Sequence, residues 1–199
     1  AICMAQHRDL IARLEHAGQI IQEMGLNQLQ LAPRFLKGHS YGTHSNTQVQ
    51  PSHDTPSNRR SRFASLHMRL PATRLGVITS GAVAAYLDEG FEIAAEYGLD
   101  RETVSVLRVV ATHPFPAAEV RELLRHCDTV LVLEELEPYV EREVIVEARR
   151  LGFGGRIVGK LDGGRATTGL SRIGEYGVEQ VVRGLGVAAD LPIPDGLFQ

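Results

Sequence analysis

Cysteine is scarce in this sequence, with Cys3 and Cys127 as the two examples in 199 residues. Two thiols so far apart are too few for a disulfide framework, and they lack the spacing of a zinc or iron–sulfur site. Cys127 follows a segment with the periodicity of an apolar helix face. We therefore expect a buried, unreactive thiol at this position.

The sequence also lacks an excess of positive charge and a long apolar run. Its net charge is -3, which argues against general nucleic-acid binding. The short basic cluster of Arg59, Arg60 and Arg62 lies among Ser, Asn and Pro residues, as is typical of a solvated loop. No stretch approaches the roughly 18 apolar residues of a membrane span, and no signal peptide is evident. These absences predict a cytoplasmic protein without a membrane partner.

Motifs of self-sufficient catalysis are missing as well. The chain contains no G-x-G-x-x-G, no phosphate-binding loop with Gly-Lys-Ser/Thr, no G-x-S-x-G elbow and no H-E-x-x-H helix. His39, His44 and His53 lie in a polar segment without metal-ligand spacing. We therefore predict no catalytic residue and no metal site in this chain.

An alternation of strands and helices fills residues 74–186. The predicted strands cover 75–79, 104–111, a segment that begins at Asp128, and 156–158. The predicted helices lie between and after them, from Ser80 to Gly98 and over 117–126, 138–151 and about 178–185. This rhythm is typical of a three-layer α/β fold, with a mostly parallel sheet of about four to five strands and helices on both faces. The inner side of the 138–151 helix is predicted to carry Tyr139, Val140, Val144 and Ala148.

Composition divides the chain into four parts. Residues 1–36 are predicted to form an N-terminal amphipathic helix with an extension, since Leu10, Leu14, Ala17, Ile21 and Met24 make one apolar stripe over 7–25. Residues 37–73 are poor in apolar side chains and are predicted to be a flexible polar linker or insertion. Residues 74–186 form the α/β domain, and 187–199 form a C-terminal tail.

Polar residues follow the ends of the predicted strands. If the sheet is parallel, one edge gathers Thr79, Ser80 and Gly81, then Thr112 and His113, then Glu134 and Glu135, and finally Lys160 and Asp162. The candidate ligand-contacting residues are Ser80, Gly81, His113, Glu134 and Glu135. A second interpretation is that Glu134, Glu135 and Glu137 only cap the helix that Pro138 opens, and that His113 is structural.

Four segments, taken in order, resemble a known family. They are Leu75-Gly-Val-Ile-Thr-Ser-Gly-Ala-Val-Ala-Ala-Tyr-Leu-Asp-Glu-Gly, His113-Pro-Phe-Pro, Val132-Leu-Glu-Glu-Leu-Glu-Pro-Tyr-Val-Glu and Ile157-Val-Gly-Lys. Together they resemble the middle domain of the α subunit of indolepyruvate:ferredoxin oxidoreductase, which is similar to the transketolase C-terminal domain. The resemblance covers about residues 74–186, and Asn27 is similar to the segment that precedes this domain.

The resemblance implies a thiamine diphosphate-dependent oxidative decarboxylation of aryl 2-oxo acids to acyl-coenzyme A, with electrons passed through iron–sulfur clusters to ferredoxin. This chain has no Gly-Asp-Gly motif for the magnesium diphosphate and no Cys-x-x-Cys series for a cluster. It is therefore expected to hold no cofactor itself and to scaffold the remaining domains or subunits, which would bind thiamine diphosphate, magnesium and the clusters. No catalytic residue is carried over.

Two alternatives belong to other functional classes. The chain is then either an independent module that binds a small molecule, acyl-coenzyme A or nucleotide at Ser80, Gly81, His113 and Glu134, or a protein-interaction module. In the second case, the stripe of Leu10, Leu14 and Ile21 would contact the partner.

Overall fold

The computed structural model describes residues 2–33, 74–161 and 169–198. In chain order the elements are α1 (Ile2–Glu23), β1 (Gln28–Gln30), β2 (Leu75–Ser80), α2 (Leu87–Glu96), β3 (Val104–Val109), α3 (Ala117–His126), β4 (Thr129–Leu133), α4 (Tyr139–Leu151), β5 (Arg156–Val158) and α5 (Val178–Ala189). The predicted linker 37–73, with its histidines and arginines, lies outside the described residues, as does Asp162. The described parts form one compact unit.

A single five-stranded sheet runs through this unit in the order β1-β3-β2-β4-β5. β2 pairs in parallel with β3 and β4, and β4 pairs in parallel with β5, whereas β1 joins the edge antiparallel to β3. The predicted mostly parallel α/β sheet is therefore confirmed. β1 was not predicted, because three residues of which Gln28 and Gln30 are exposed give no strand pattern.

Helices cover both faces of the sheet, as predicted. Alternate strand residues point to opposite faces, so Val77 joins the core beneath α2 and α5, while Ile78 joins the core beneath α3 and α4. Each fully buried Val or Leu contributes about 1.5–3 kcal/mol through burial. The two cores hold the sheet between its two layers of helices.

Close packing on one face depends on a glycine. A Cβ at Gly90 of α2 would overlap with Cγ1 of Val181 in α5. The absence of that side chain lets the two helices approach each other. Their contact fixes α5, whose first turn follows a loop that reaches the strand ends.

Several predicted boundaries differ from the observed ones. The helix after Ser80–Gly81 begins as a 3₁₀ helix, Ala82–Tyr86, and becomes α-helical at Leu87. α5 continues to Ala189, well past the predicted end near residue 185, because its apolar face continues over the sheet. Tyr139 was predicted to face inward but is 45% exposed, since it is the first residue of α4.

The segment after α1 is tied to the sheet by polar contacts. The Asn27 side chain accepts hydrogen bonds from the backbone N–H groups of Val110 (2.9 Å) and Ala111 (3.0 Å) and donates one to the Ala111 carbonyl (3.3 Å). β3 therefore ends at Val109, two residues before its predicted end. Further along, the Ala32 N–H donates to the Ser105 hydroxyl at 2.9 Å.

No helix in the described ranges is both long and apolar enough to cross a bilayer. The four-part division of the chain stays a prediction, because the boundaries around residues 37–73 border the undescribed segment.

Candidate functional site

The carboxyl ends of β2 and β4 meet at an open cleft of about 350 Å³, which we term the rim cleft. It brings together four of the five predicted candidates, namely Ser80, Gly81, Glu134 and Glu135. The full lining is Ser80, Gly81, Thr112, Glu134, Glu135, Leu136, Glu137, Tyr139 and Val140. The parallel pairing of the strands places these residues at one edge, as the sequence pattern predicts.

Other predicted residues lie elsewhere. His113 is exposed, precedes a cis peptide bond to Pro114 and is not among the lining residues of the cleft. Thr79 is fully buried, and its hydroxyl finds no hydrogen-bond partner among the described residues. Neither side chain is placed to contact a ligand in the rim cleft.

Glu134 caps α4. It is buried, and its two carboxylate oxygens accept hydrogen bonds from the backbone N–H groups of Val140 and Glu141, both at 2.8 Å. A carboxylate at a helix N-terminus satisfies orphan N–H groups and complements the helix dipole. The capping interpretation of Glu134 therefore describes what this residue does in the structure.

Glu135 links the rim to the segment before α5. Its Oε1 accepts a hydrogen bond from the backbone N–H of Tyr176 at 3.0 Å. Gly81 lies on the other side, with φ of 82°, a conformation that side chains disfavour. A Cβ at Gly81 would lie 3.8 Å from Oε2 of Glu135. Both residues therefore line the rim cleft close to each other.

Glu141 is a structural residue of the rim that the sequence interpretation missed. Its carboxylate is buried and accepts hydrogen bonds from the backbone N–H groups of Lys160 (2.8 Å) and Leu161 (3.0 Å). Burial raises the pKa of Glu141, although these two hydrogen bonds oppose the rise. A Cβ at Gly159 would overlap with the carboxylate. The available signal was an acid in the first turn of α4 together with a glycine at the end of β5.

The Lys160 side chain contacts the loop between β4 and α4. Its ammonium donates to the carbonyl of Leu136 at 2.6 Å and lies 5.0 Å from the centroid of the Tyr176 ring. Burial lowers the pKa of Lys160, and the surrounding carboxylates partly offset that effect, Glu134 first among them. Leu136 has a φ of 52°, which a leucine rarely adopts. The lysine contact stabilises that conformation.

Negative charge dominates the rim cleft. Its lining includes Glu134, Glu135 and Glu137 and no cation, while the Lys160 ammonium is engaged with Leu136. A diphosphate or other polyanion would meet repulsion there. The described residues also contain no group of three His, Cys, Asp or Glu that fits a metal ion. This donor set fits neither a magnesium diphosphate nor a thiolate-bound cluster.

The predicted burial of the Cys127 thiol is confirmed. Cys127 is buried between α3 and the sheet, and burial raises its pKa to about 11. A thiol with that pKa is almost entirely protonated at neutral pH, so it is a poor metal ligand and nucleophile.

Three large apolar side chains near the carboxyl ends of the strands are exposed to solvent. Val110, after β3, is 68% exposed, and Leu136, after β4, is 58% exposed. Tyr139, three residues after Leu136, is also exposed at the start of α4. Large exposed apolar residues gathered at one edge are typical of a protein-contact surface. The rim thus combines an acidic cleft with apolar residues available for contact.

Comparisons with known proteins agree with the resemblance seen in the sequence. No protein-family model matches the chain. The indolepyruvate oxidoreductase subunit IorA of Methanothermobacter marburgensis is 38% identical over 109 residues, which are 55% of this chain and 16% of that subunit. IorA of Methanothermobacter thermautotrophicus is 38% identical over 91 residues, which are 46% of this chain and 14% of that subunit.

A solved structure described as a split-gene transketolase, inactive β4 tetramer, overlaps 60% of this chain and 40% of its own, with a TM-score of 0.44 and 14% identity. The matches to IorA span only about a sixth of that subunit's length. The chain is thus similar in sequence to one segment of the indolepyruvate oxidoreductase subunit IorA, which confirms the resemblance carried by its strand-end motifs.

Proposed function

We propose that this chain is a domain or split subunit of a cytoplasmic, thiamine diphosphate-dependent 2-oxoacid:ferredoxin oxidoreductase of the indolepyruvate type. In this role it scaffolds the oxidative decarboxylation of aryl 2-oxo acids and is not catalytic alone. The observation that carries the proposal is the 38% identity to IorA over 109 residues. Other domains or subunits would bind thiamine diphosphate, magnesium and iron–sulfur clusters and would pass electrons to ferredoxin.

The geometry of the rim supports a scaffolding role. Glu134, Glu141 and Lys160 form hydrogen bonds with backbone groups of this chain. These contacts stiffen the rim and leave the three side chains unable to act on a substrate. Leu136 and Val110 remain exposed on that stiffened surface. A rigid edge with exposed apolar residues suits contact with another domain.

The alternative of an acyl-coenzyme A or nucleotide site receives no support from the rim cleft. Both ligands carry phosphates, and the cleft presents carboxylates to them. We therefore develop only the scaffold proposal.

The first test is a calorimetric titration of the purified chain with thiamine diphosphate and magnesium. We expect no saturable heat, because the cleft lining offers no cation for the diphosphate. Binding in the micromolar range would contradict the assignment of the cofactor to other domains.

The second test replaces the matched segment of Methanothermobacter marburgensis IorA with the corresponding segment of this chain. The assembled enzyme is assayed by indolepyruvate-dependent reduction of a viologen dye. We expect the chimaera to retain activity within about tenfold of the parent, or ~1.4 kcal/mol in the barrier. A chimaera that folds and binds thiamine diphosphate, yet neither assembles nor reduces the dye, would show that the likeness does not extend to the role.

A further inference from the structure

Between residues 9 and 23, helix α1 leaves its apolar side chains exposed or half-buried. Among the residues from 9 to 23, whose side chains the structure describes, none is fully buried. Leu14, Ala17 and Ile21 are half-buried, which is the middle of the predicted stripe, whereas Leu10 and Ile11 are each 45% exposed. The helix therefore rests on the domain without burying its apolar face.

An apolar groove of about 580 Å³ runs between α1 and the segment 114–119, and we term it the α1 groove. Ile11, Leu14 and Ile21 line the helix side, and Pro114 and Phe115 line the opposite side. The two walls approach each other at Gly18, where a Cβ would lie 3.3 Å from Cγ of Pro114. The groove is thus an open cleft whose lining is mainly apolar.

The charges along the groove have one sign. Glu15 on α1 and Glu119 on α3 line it, and its described lining contains no lysine or arginine. Neither carboxylate forms an ion pair with any residue in the described ranges. An occupant with apolar side chains flanked by cations would pack against the apolar walls and pair with the two carboxylates.

We propose that the α1 groove binds an amphipathic helix of another polypeptide segment or subunit, with lysine or arginine residues beside its apolar stripe. Such a helix would place apolar side chains at i, i+3 and i+4 between Ile11 and Phe115. Its cations would pair with Glu15 and Glu119. The groove shares no lining residue with the rim cleft, so this surface is separate from the scaffold contact proposed above.

A second copy of this chain fits the groove less well than a basic partner. Between residues 9 and 23 of α1, Arg13 is already paired with Asp9, and the other Asp, Glu, Lys and Arg residues of this range are Glu15 and Glu23. Two α1 helices packed together over residues 9–23 would therefore bring carboxylates close to carboxylates. Charge complementarity favours a different, basic helix.

The test uses the full chain and two labelled synthetic peptides of about 18 residues, a length common for groove-binding helices. Both peptides carry leucines at helical spacing; one is flanked by lysines and the other by glutamates. We expect fluorescence anisotropy to show binding of the lysine peptide about tenfold tighter than that of the glutamate peptide. The double variant Glu15→Lys/Glu119→Lys should reverse the preference.

A matched pair of apolar variants tests the location. Ile11→Asp, in the groove, should weaken lysine-peptide binding about tenfold, whereas Ile145→Asp, at a 40% exposed position on α4, should leave it unchanged. Circular dichroism confirms that both variants are folded.

Three outcomes would overturn the proposal. One is no saturable binding of either peptide, and another is equal binding of both peptides by the wild-type chain. The third is sedimentation showing a dimer that Ile11→Asp dissociates, which would assign the groove to a second copy of the chain.

Discussion

Glu147 is a buried carboxylate held between two arginines. Arg121 of α3 donates to one oxygen at 2.8 Å and Arg150 of α4 donates to the other, while the Glu147 side chain is 2% exposed. Burial by itself raises the pKa of Glu147, but the two arginine hydrogen bonds outweigh it, and the folded pKa is lowered. The carboxylate thus joins two helices on one face of the sheet.

Glu147→Gln should destabilise the fold by about 2 kcal/mol, since a charged hydrogen-bond acceptor is lost from a buried position. Because the folded pKa is lowered, the stabilisation is complete above the pKa of an unfolded glutamate, about 4.3, and is lost as pH falls through the folded pKa. Urea unfolding between neutral and acidic pH measures this. The variant should lose less stability on acidification than the wild type, whereas Glu92→Gln, at an exposed site on α2, should behave as the wild type. An unchanged acid dependence in Glu147→Gln would contradict the assignment.

Thr79 offers the opposite case, a buried hydroxyl without a described partner. Thr79→Val keeps the shape and removes the desolvated group, so we expect a gain of about 1 kcal/mol in unfolding free energy. Thr103→Val is the control, because its hydroxyl donates to the Asp100 carbonyl at 2.7 Å and its loss should not stabilise. A destabilised Thr79→Val would mean that the hydroxyl is hydrogen-bonded, for example to a buried water.

Single residues also show where the sequence was informative. Glu134 and Glu135 were recognisable as rim residues because they directly follow an apolar strand. Glu141 was not, because an acid in the first turn of a helix usually serves the helix dipole from the surface. Its burial depends on Lys160 and Leu161, which lie about twenty residues further along the chain.

At the scale of elements, the joint between α1 and the sheet depends on Asn27. Its side chain satisfies three backbone groups at the end of β3, and β1 follows directly after it. Side chains can satisfy strand ends in the same way that caps satisfy helix ends. The Asn27 amide therefore adds to the short β1–β3 ladder in holding the edge strand.

Asn27→Ala should cost about 2 kcal/mol by leaving backbone N–H groups without their acceptor. Hydrogen exchange should accelerate at the amides of Val110 and Ala111, because their N–H groups donate hydrogen bonds to the Asn27 side chain. Asn27→Asp keeps the acceptor and loses the donor, so its unfolding free energy should lie between those of the wild type and Asn27→Ala. Gln28→Ala, at an exposed position, should have no effect. Unchanged exchange at both amides in Asn27→Ala would argue against this role.

The parallel strands β2 to β5 were predictable because buried parallel strands are continuous apolar runs bounded by turns and helices. β1 was not predictable from its own residues. Its strand conformation comes from pairing with β3, which is a long-range contact of the kind that overrides weak local preference.

At the scale of the whole molecule, substitutions of exposed rim residues should change assembly without changing the free energy of unfolding. Leu136 is exposed in a left-handed conformation that Asn tolerates better than Leu. Leu136→Asn should leave the unfolding free energy unchanged or raise it by a few tenths of a kcal/mol, about the size of such backbone effects.

The same substitution within the IorA chimaera should reduce assembly and dye reduction about tenfold, as expected for loss of an apolar anchor. Val146→Gln, which removes a 41% exposed apolar residue from α4, should leave both unchanged. Equal activity of the Leu136→Asn and parent chimaeras would remove Leu136 from the contact surface.

The sequence alone determined the α/β class, the polar residues at the ends of the strands and the likeness to IorA, because apolar periodicity and strand-end motifs are local properties. Only the tertiary structure decided which polar groups remain available. Hydrogen bonds between distant segments engage Glu135, Glu141 and Lys160 with the backbone, while apolar residues at the rim and on α1 stay exposed. The physical reason is that burial and hydrogen-bond partners are set by segments far apart in the chain, which no local pattern records.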